Sequence, residues 1–385
     1  MGATIYDIAE KAGVSACWVS FVLRDHPRAK EVSARMRRRI KEAAAELHYH
    51  RNLSAATISG GFNRSTIAMI VPDTWKTGER IYMTTRYFHA VQYFNERGYG
   101  VRIYCGDDME KTFQEILSNQ IRYVFVNLYD ERKRTLCAEL CRKNALMAAF
   151  RGCYLPPFPD FPSFESDDEA VVLSLVEHLV KLGHARIGAV LGTLCSPYNQ
   201  VRYKAWRKAV RKFGLPDDPE LCIHIHGFSD AAFLRFLREQ RPGAVFAADR
   251  GIATRILNFC SFYRIPVPEA FSLVSFNALP PHPYHTNRSI TGVDEESITE
   301  GIEKACLAYF SGRRKKSAGF SGQLVPGQST GAPSGDLSWL AKLPKTLDND
   351  RQWFPDNTPF ELEEERMMRK SAKSNVSPKG GKKNV

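Results

Sequence analysis

Five cationic side chains, Arg35, Arg37, Arg38, Arg39 and Lys41, crowd one short stretch of the chain. The chemistry such a cluster offers is attraction for phosphate or another polyanion, although charge runs also serve as solvated helix faces. Residues 1–64 hold 11 Lys/Arg against 6 Asp/Glu, and residues 366–385 carry seven Lys/Arg and no acid. Over the whole chain 54 basic residues stand against 42 acidic ones, a net charge of +12. Residues that would support catalysis or hold a metal do not assemble. Nine cysteines (Cys17, Cys105, Cys137, Cys141, Cys153, Cys195, Cys222, Cys260, Cys306) form no CxxC pair and no Cys/His group at zinc spacing. Cys137 and Cys141 lie one helical turn apart and read as packing, and scattered thiols fit a reducing compartment. Asp167, Asp168 and Glu169 are consecutive, and consecutive carboxylates rarely converge on one ion, so they read as a solvated helix start. His178 and His184 read as capping or packing residues. No phosphate loop and no nucleophile–base set is present, and the position after the first strand reads PDTWKTG where a dinucleotide site would need GxGxxG. No enzyme, no cofactor and no metal is therefore expected.

The elements that must position the basic cluster are three short helices within residues 4–48. Ile5, Ile8, Ala9 and Ala12 recur at helical spacing, and Thr4 followed by Asp7 forms a capping box. Gly13 stops that helix. Ser15 caps a second one with Val19, Val22 and Leu23 inward, and a tight glycine turn between two helices is the helix-turn-helix pattern. A third helix, Ser33 to Leu47, buries Met36, Ile40, Ala43, Ala44 and Leu47 and puts arginines on its other side. Asn52 to Ile58, ended by Gly60-Gly61, is a linker.

From Ile67 the pattern changes to β-branched runs alternating with amphipathic helices. The runs are Ile67–Val71, Val101–Cys105, Tyr123–Asn127, Leu146–Phe150, Ile187–Leu191, Leu221–Ile225, Ala244–Ala247 and Leu273–Phe276. Such alternation predicts parallel sheets with right-handed crossovers. The stretch is too long for one sheet, so two lobes are expected, meeting near residue 165 and again near 290, with a ligand in the crevice beyond the strands' carboxyl ends. The expected organisation is a helix-turn-helix domain over 1–50, a hinge over 51–64, a two-lobed α/β domain over 65–330, and a basic disordered tail over 331–385 with one short helix at Pro359–Lys370 as an option. No apolar run is long enough for a membrane span, and Asp7 and Glu10 stand where a signal peptide needs a basic and apolar start, so the cytoplasm is expected.

Several ordered motifs now carry a specific resemblance. The stretch ATIYDIAEKAGVSACWVSFVLRDHP, then IAMIVPD, VEHLVKLGHARIGAVLG, RYKAWRKAV, PGAVFAAD, SLVSFNA and VPGQST, resemble a lactose-repressor-type (LacI/GalR) regulator over residues 3–330. The resemblance implies an N-terminal all-α helix-turn-helix domain joined to a two-lobed α/β body like that of periplasmic binding proteins. By position it places Ala16, Cys17 and Phe21 at base edges, where Phe21 stands at a frequent arginine; Ala and Phe contact a thymine methyl rather than making bidentate hydrogen bonds. Trp18, where threonine is usual, reads as packing or as a phosphate-side contact, and packing against Leu23 or the third helix is an open alternative for Phe21 and Trp18 alike. Ser15, Ser20 and Arg24 fall where the family reaches phosphates, with Tyr6 and Thr4 assisting. Ile58 occupies the position of the family's minor-groove leucine, with Asn52 and Ala55 beside it and Arg51 in place of the usual proline.

In the cleft the resemblance assigns Arg202 to the arginine that bonds sugar hydroxyls, Phe228 to the stacking aromatic, and Asp249 to a frequent asparagine. Arg151, Arg250 and Asn277 stand where the family commonly has aspartate. Fewer acceptors and more arginines favour an anionic effector such as a sugar acid or sugar phosphate. The open alternative is that Arg151 and Arg250 pair with Asp167, Asp168 or Asp249 and the cleft binds nothing. The resemblance thus implies a homodimer on a near-palindromic double-stranded operator, controlled by a sugar-related small molecule, with repression the expected sign. An effector-independent regulator, a solute-binding protein of the same lobe fold and an α/β kinase or dehydrogenase are the competing readings.

Overall fold

The computed structural model of the chain describes residues 3–23, 27–47, 49, 62–72, 80–105, 108–128, 130–152, 158–192, 197–224, 229–279, 289–314, 316–341 and 343–344. It divides into two compact units, Met1–Asn63 and Arg64–Val385. No helix among the described residues is long and apolar enough to cross a membrane.

In the first unit, α1 (Ile5–Ala12) starts at Thr4. The Thr4 hydroxyl accepts from the Asp7 N–H at 3.3 Å, and the Asp7 carboxylate accepts from the Thr4 N–H at 2.7 Å. This reciprocal pair satisfies two amide donors that a helix start leaves open. Gly13 ends the helix at φ 62°, a left-handed conformation in which a Cβ would be strained. Next come α2 (Ala16–Leu23), a 3-10 turn at Pro27–Glu31, and α3 (Ala34–Glu46), whose N-cap Ser33 accepts from the Met36 N–H. Ile8, Ala9, Ala12, Val19, Val22, Ala29, Ile40, Ala43 and Ala44 form the core, with Met36 and Leu47 packed against it. Arg37 is no solvated residue: its Nη1 donates to the carbonyls of Ala29 and Val32 at 3.2 and 3.0 Å and pins the 3-10 turn to α3.

The second unit begins with β1 (Asn63–Val71), α4 (Arg80–Glu96), β2 (Gly100–Cys105), α5 (Met109–Ser118), β3 (Ile121–Val126), α6 (Glu131–Lys143), β4 (Met147–Arg151) and β5 (Ser163–Ser166). It continues through α7 (Asp168–Lys181), β6 (Ile187–Leu191), α8 (Pro197–Lys212), β7 (Cys222–His224), α9 (Asp230–Gln240), β8 (Ala244–Ala247), α10 (Arg250–Phe262) and β9 (Ser272–Asn277). It closes with β10 (Thr291–Val293), α11 (Glu295–Phe310), β11 (Ala318–Phe320), β12 (Leu324–Val325) and α12 (Ser338–Ala341). Two six-stranded sheets result, in the orders β11-β5-β4-β3-β1-β2 and β12-β10-β9-β8-β6-β7. The β1–β2, β3–β4, β4–β5 and β5–β11 pairs of lobe one are parallel, as are β6–β7, β6–β8, β8–β9 and β9–β10 of lobe two; β12 is antiparallel to β10. Strand order reverses around β1 and around β6, and it is beyond such switch points that α/β sheets take ligands.

The chain passes between the sheets three times, at Asp167, at Asp294 and over 321–323. The first two lie where the sequence placed them, near 165 and 290. The third, and the short strands β5, β10, β11 and β12 beside it, did not stand out, because runs of two to four residues holding Ser, Glu and Gly carry little apolar periodicity. Asp167 N–H donates to Phe320 O, and Asp294 N–H to Gln323 O, each at 2.8 Å. Gly322 makes that approach possible: at φ 64° a Cβ would stand 2.7 Å from Asp294 O. The hinge expected over 51–64 overlaps β1, which starts at Asn63, and its residues 51–61 lie outside the described residues.

Disorder from residue 331 is corrected over 331–344. His178 Nε2 contacts Thr330 Oγ1 at 3.2 Å, while His184 Nε2 contacts Ser272 Oγ and Gly331 O at 2.9 Å, so both histidines pack, and burial lowers the pKa of each. Ser334 donates to Glu269 O, and Arg238 Nη2 to the carbonyls of Leu343 and Pro344. Trp339 and Leu343 enter the core, the indole 6.3 Å from the Phe271 ring. This strap buries apolar area on lobe two, which the Pro- and Gly-rich composition concealed. The helix considered at Pro359–Lys370 lies outside the described residues. Emptying the Trp339 site by Trp339→Ala is expected to cost about 3–5 kcal/mol. Scanning calorimetry should show the main transition lowered by several degrees, and a disordered strap would leave it unmoved.

Candidate nucleic-acid interface and ligand cleft

On the first unit α2 presents a mixed surface. Cys17 and Ser15 are exposed, while Ala16, Trp18, Ser20 and Phe21 are half-buried. Phe21 packs on the three-helix core and meets Trp18 edge-on, with ring centroids 5.6 Å apart. The Arg28 guanidinium lies over both rings, 5.7 and 5.2 Å from their centroids, and also pairs with Glu31 at 3.1 Å. Of the two readings open for Phe21 and Trp18, packing is therefore what the geometry displays, though each ring keeps an exposed edge. Arg28 had no local signal, since it lies seven and ten residues from the rings it covers. Tyr6 projects from α1 at 72% exposure. Thr4 is engaged in its cap, which also lowers the pKa of Asp7 through hydrogen bonds from Thr4. Arg35, Arg38, Arg39 and Lys41 line the outer face of α3, with Arg38 3.5 Å from Glu42. Arg24, Asn52, Ala55 and Ile58 lie outside the described residues.

In the second unit Arg202 is fixed on three sides. Its Nε donates to Asp168 Oδ2 at 2.7 Å, its Nη1 to Ala248 O at 2.6 Å, and its guanidinium lies 3.6 Å from the Phe276 ring. Ser166 Oγ donates to Asp168 Oδ1 at 2.5 Å, so the end of β5 joins the same cluster. Asp249 caps α10, accepting from the Ile252 N–H at 2.8 Å; burial raises its pKa and the nearby Arg202 opposes the rise. Asn277 is buried at the end of β9, and Phe228 lies outside the described residues.

The expected pairing of Arg151 and Arg250 with Asp167, Asp168 or Asp249 is not what forms. Asp167 caps α7 and Glu169 pairs with Lys208 at the surface, but Asp168, expected in a solvated helix start, is buried and holds Arg202. Arg250 instead reaches Glu295, with Nη2 3.3 Å from Oε2, and Arg86 Nε stands 3.4 Å from Oε1 of the same carboxylate. Arg151, expected as a ligand residue, is buried at the end of β4, with its Nε and Nη2 making no hydrogen bond among the described residues. It is 1% exposed and shares the face of β4 with Ala149, opposite Ala148 and Phe150, so its charge acts on Glu303 and Cys306 of α11. Beneath it the buried Arg134 donates to the carbonyls of Leu128, Arg151 and Gly152, gathering the ends of β3 and β4. Among the described residues no group of three His, Cys, Asp or Glu side chains could hold a metal.

Sequence reasoning missed Arg86, Arg134, Asp168 as the partner of Arg202, Glu295 and Glu303, all joined by contacts between distant elements. Glu303 is fully buried, with Nδ1 of His89 3.1 Å from its Oε2. Burial raises its pKa from an ordinary 4.5 to about 7, against the opposing charges of His89 and Arg151. The folded state thus favours the protonated form, and the associated stability is complete below pH 4.5 and lost as pH rises through about 7. Relative to wild type, Glu303→Gln should gain stability as pH rises from about 5 to 8, by on the order of 1–3 kcal/mol in urea titrations; a constant difference would refute the buried-acid assignment. Arg202→Ala, which leaves Asp168 uncompensated, should cost about 3–5 kcal/mol in the same titrations.

Comparison with known proteins supplies the wider frame. Residues 4–52 match the family described as bacterial regulatory proteins, lacI family, and residues 176–330 match a periplasmic binding protein-like domain. The HTH-type transcriptional regulator DegA of Bacillus subtilis (strain 168) is 24% identical over 340 residues, covering 83% of this chain and 94% of DegA. MalR of Streptococcus pneumoniae is 23% identical, over 73% of this chain and 85% of its own length. In fold, the chain is similar to the lac repressor dimer bound to operator and the anti-inducer ONPF, with a TM-score of 0.61 at 20% identity over 86% of this chain and all of that one. The CelR–cellobiose complex gives 0.53 at 18% identity over 85% and all of its chain. Residues 4–52 thus carry the helix-turn-helix head of the lacI family of bacterial regulatory proteins, and behind it stands a periplasmic binding protein-like body, the same order as in the transcriptional regulators to which the chain is similar along most of its length.

Proposed function

We propose that this regulator works as a homodimer in the cytoplasm, where two heads over residues 1–50 read the halves of a near-palindromic operator and block transcription. The observation that carries the reading is the capped three-helix unit whose α2 offers Ser15 and Cys17 to a groove while exposed arginines flank it on α3. Ala16, Cys17 and Phe21 face bases in this reading. Ser15, Ser20, Trp18, Arg24, Tyr6 and Thr4 stand on the phosphate side, and Asn52, Ala55 and Ile58 enter from the hinge at 51–64. The solved lac repressor dimer on operator supports the two-fold arrangement by similarity of fold. Regulation rather than catalysis is the chain's work, in keeping with relatives that are named as transcriptional regulators.

The body over 65–330 takes a small carbohydrate or anionic sugar derivative between the lobes, with Arg202, Asp249, Arg250 and Asn277 at the strand ends and Phe228 as the stacking ring. The CelR–cellobiose complex supports a sugar in a cleft of this kind. A second reading, an effector-independent regulator, is favoured by one specific observation: Arg202 and Arg250 are each already paired with an internal carboxylate.

Selection of duplexes from a random pool by the full-length chain should enrich a near-palindromic sequence, and enrichment of nothing above the pool overturns the regulator reading. Isothermal titration against uronates, sugar phosphates and neutral sugars then separates the cleft readings. Heat from the anions alone supports the anionic effector, binding of neutral sugars alone overturns it, and silence throughout favours the effector-independent form.

A further inference from the structure

Glu295 is the first residue of α11, immediately after the chain's second passage between the sheets. Its two carboxylate oxygens face guanidinium groups on different elements: Arg86 of α4 stands 3.4 Å from Oε1, and Arg250 of α10 stands 3.3 Å from Oε2. Helices α4 and α11 pack together on lobe one, whereas α10 packs on β8 and β9 of lobe two. The three side chains keep only 17%, 14% and 33% of their exposure, so salt screens this cluster less than an open surface pair.

We propose that Glu295 is an interlobe latch: held from lobe one by Arg86, it grips Arg250 of lobe two and biases the body toward the present lobe angle. The proposal rests on the regulator reading, in which a change of lobe angle carries the ligand's signal to the DNA-reading heads. A contact of 3.3 Å is already near the limit of a hydrogen bond, so a rotation that moves the start of α10 by one or two ångströms breaks it. The latch therefore contributes only to states with this angle, and removing it shifts the population toward the others. Arg250 is then a reader of lobe angle as much as of ligand, and Glu295 is a positioning residue that acts through it. A charge effect at the start of α11 alone would be shared by Glu296, the exposed residue beside it.

The test uses the full-length chain carrying Arg86→Gln, Arg250→Gln or both, in the wild-type and Glu295→Gln backgrounds, with Glu296→Gln as control and Arg250→Lys as the charge-keeping variant. Melting temperatures read the coupling. In the wild-type background the double substitution should lower the midpoint by more than the sum of the single ones, because the carboxylate loses both of these cations at once. In the Glu295→Gln background the effects should add. Additive effects in both backgrounds overturn the latch. Affinity for the duplex selected by the wild-type chain reads its consequence, expected as a shift of about 3–10-fold for Glu295→Gln and Arg250→Gln in the same direction. Glu296→Gln should leave it unchanged, and Arg250→Lys should keep most of the wild-type value. An affinity for Glu295→Gln within twofold of wild type, in protein that still melts cooperatively, likewise overturns the proposal. Failure to select any duplex counts against the regulator reading and not against the latch, which the melting cycle decides alone.

Discussion

Two backbone hydrogen bonds, from Asp167 to Phe320 and from Asp294 to Gln323, gather the three passages between the lobes into one strip. Each aspartate also caps a helix with its side chain, and the two helices lead into opposite lobes: α7 into lobe two and α11 into lobe one. The caps satisfy the open amides of both helix starts at the point where the chain changes lobe. Three short stretches of backbone, Gly322 among them, are thus all that a change of angle between the two sheets would have to bend. Everything charged in the cleft is arranged around this strip, with Ser166, Asp168 and Arg202 after the first passage and Arg86, Glu295 and Arg250 after the second.

The buried charges set geometry more than they add stability. Taking an ion pair out of water costs several kcal/mol per ion, and attraction inside the protein roughly offsets it. What Arg134 and Arg202 do is close the hydrogen-bond account of the strand ends. Carbonyls of Leu128, Arg151, Gly152 and Ala248 sit where parallel strands stop beside the crevice, and the two arginines supply their donors. The richness in arginine that suggested an anionic ligand is therefore partly structural, with Arg134 turned toward carbonyls. Arg202 and Arg250, from the same reading, each hold an internal carboxylate.

What could be read from the sequence was whatever local spacing determines. Thr4 and Asp7 three residues apart, Ser33 before an amphipathic run, and β-branched runs such as Ile187–Leu191 each announce their element through neighbours on the same segment. The crossings near 165 and 290 followed from length and rhythm. The strap over 331–344 was hidden because its holding residues, His178, His184, Arg238 and Phe271, are contributed by other elements. The direction of Arg151 was hidden for a different reason. Period-two alternation separates Ala149 and Arg151 from Ala148 and Phe150, but β4 is buried on both faces, so the pattern cannot say which face meets α11. Arg250 and Glu295 are forty-five residues apart and on different lobes, beyond any spacing rule.

The head raises the same question of where specificity resides. A bidentate side chain on a base is worth about 1–3 kcal/mol of discrimination, and Ala16 and Phe21 offer none of that chemistry. Arg28 is stacked on Trp18 and Phe21 and paired with Glu31, so it stiffens an apolar surface on α2. In the proposed reading such a surface meets thymine methyls and groove shape, while the exposed cations of α3 add affinity that falls with salt. In the proposed reading, weak discrimination by one head leaves selectivity to the pairing of two heads on one operator.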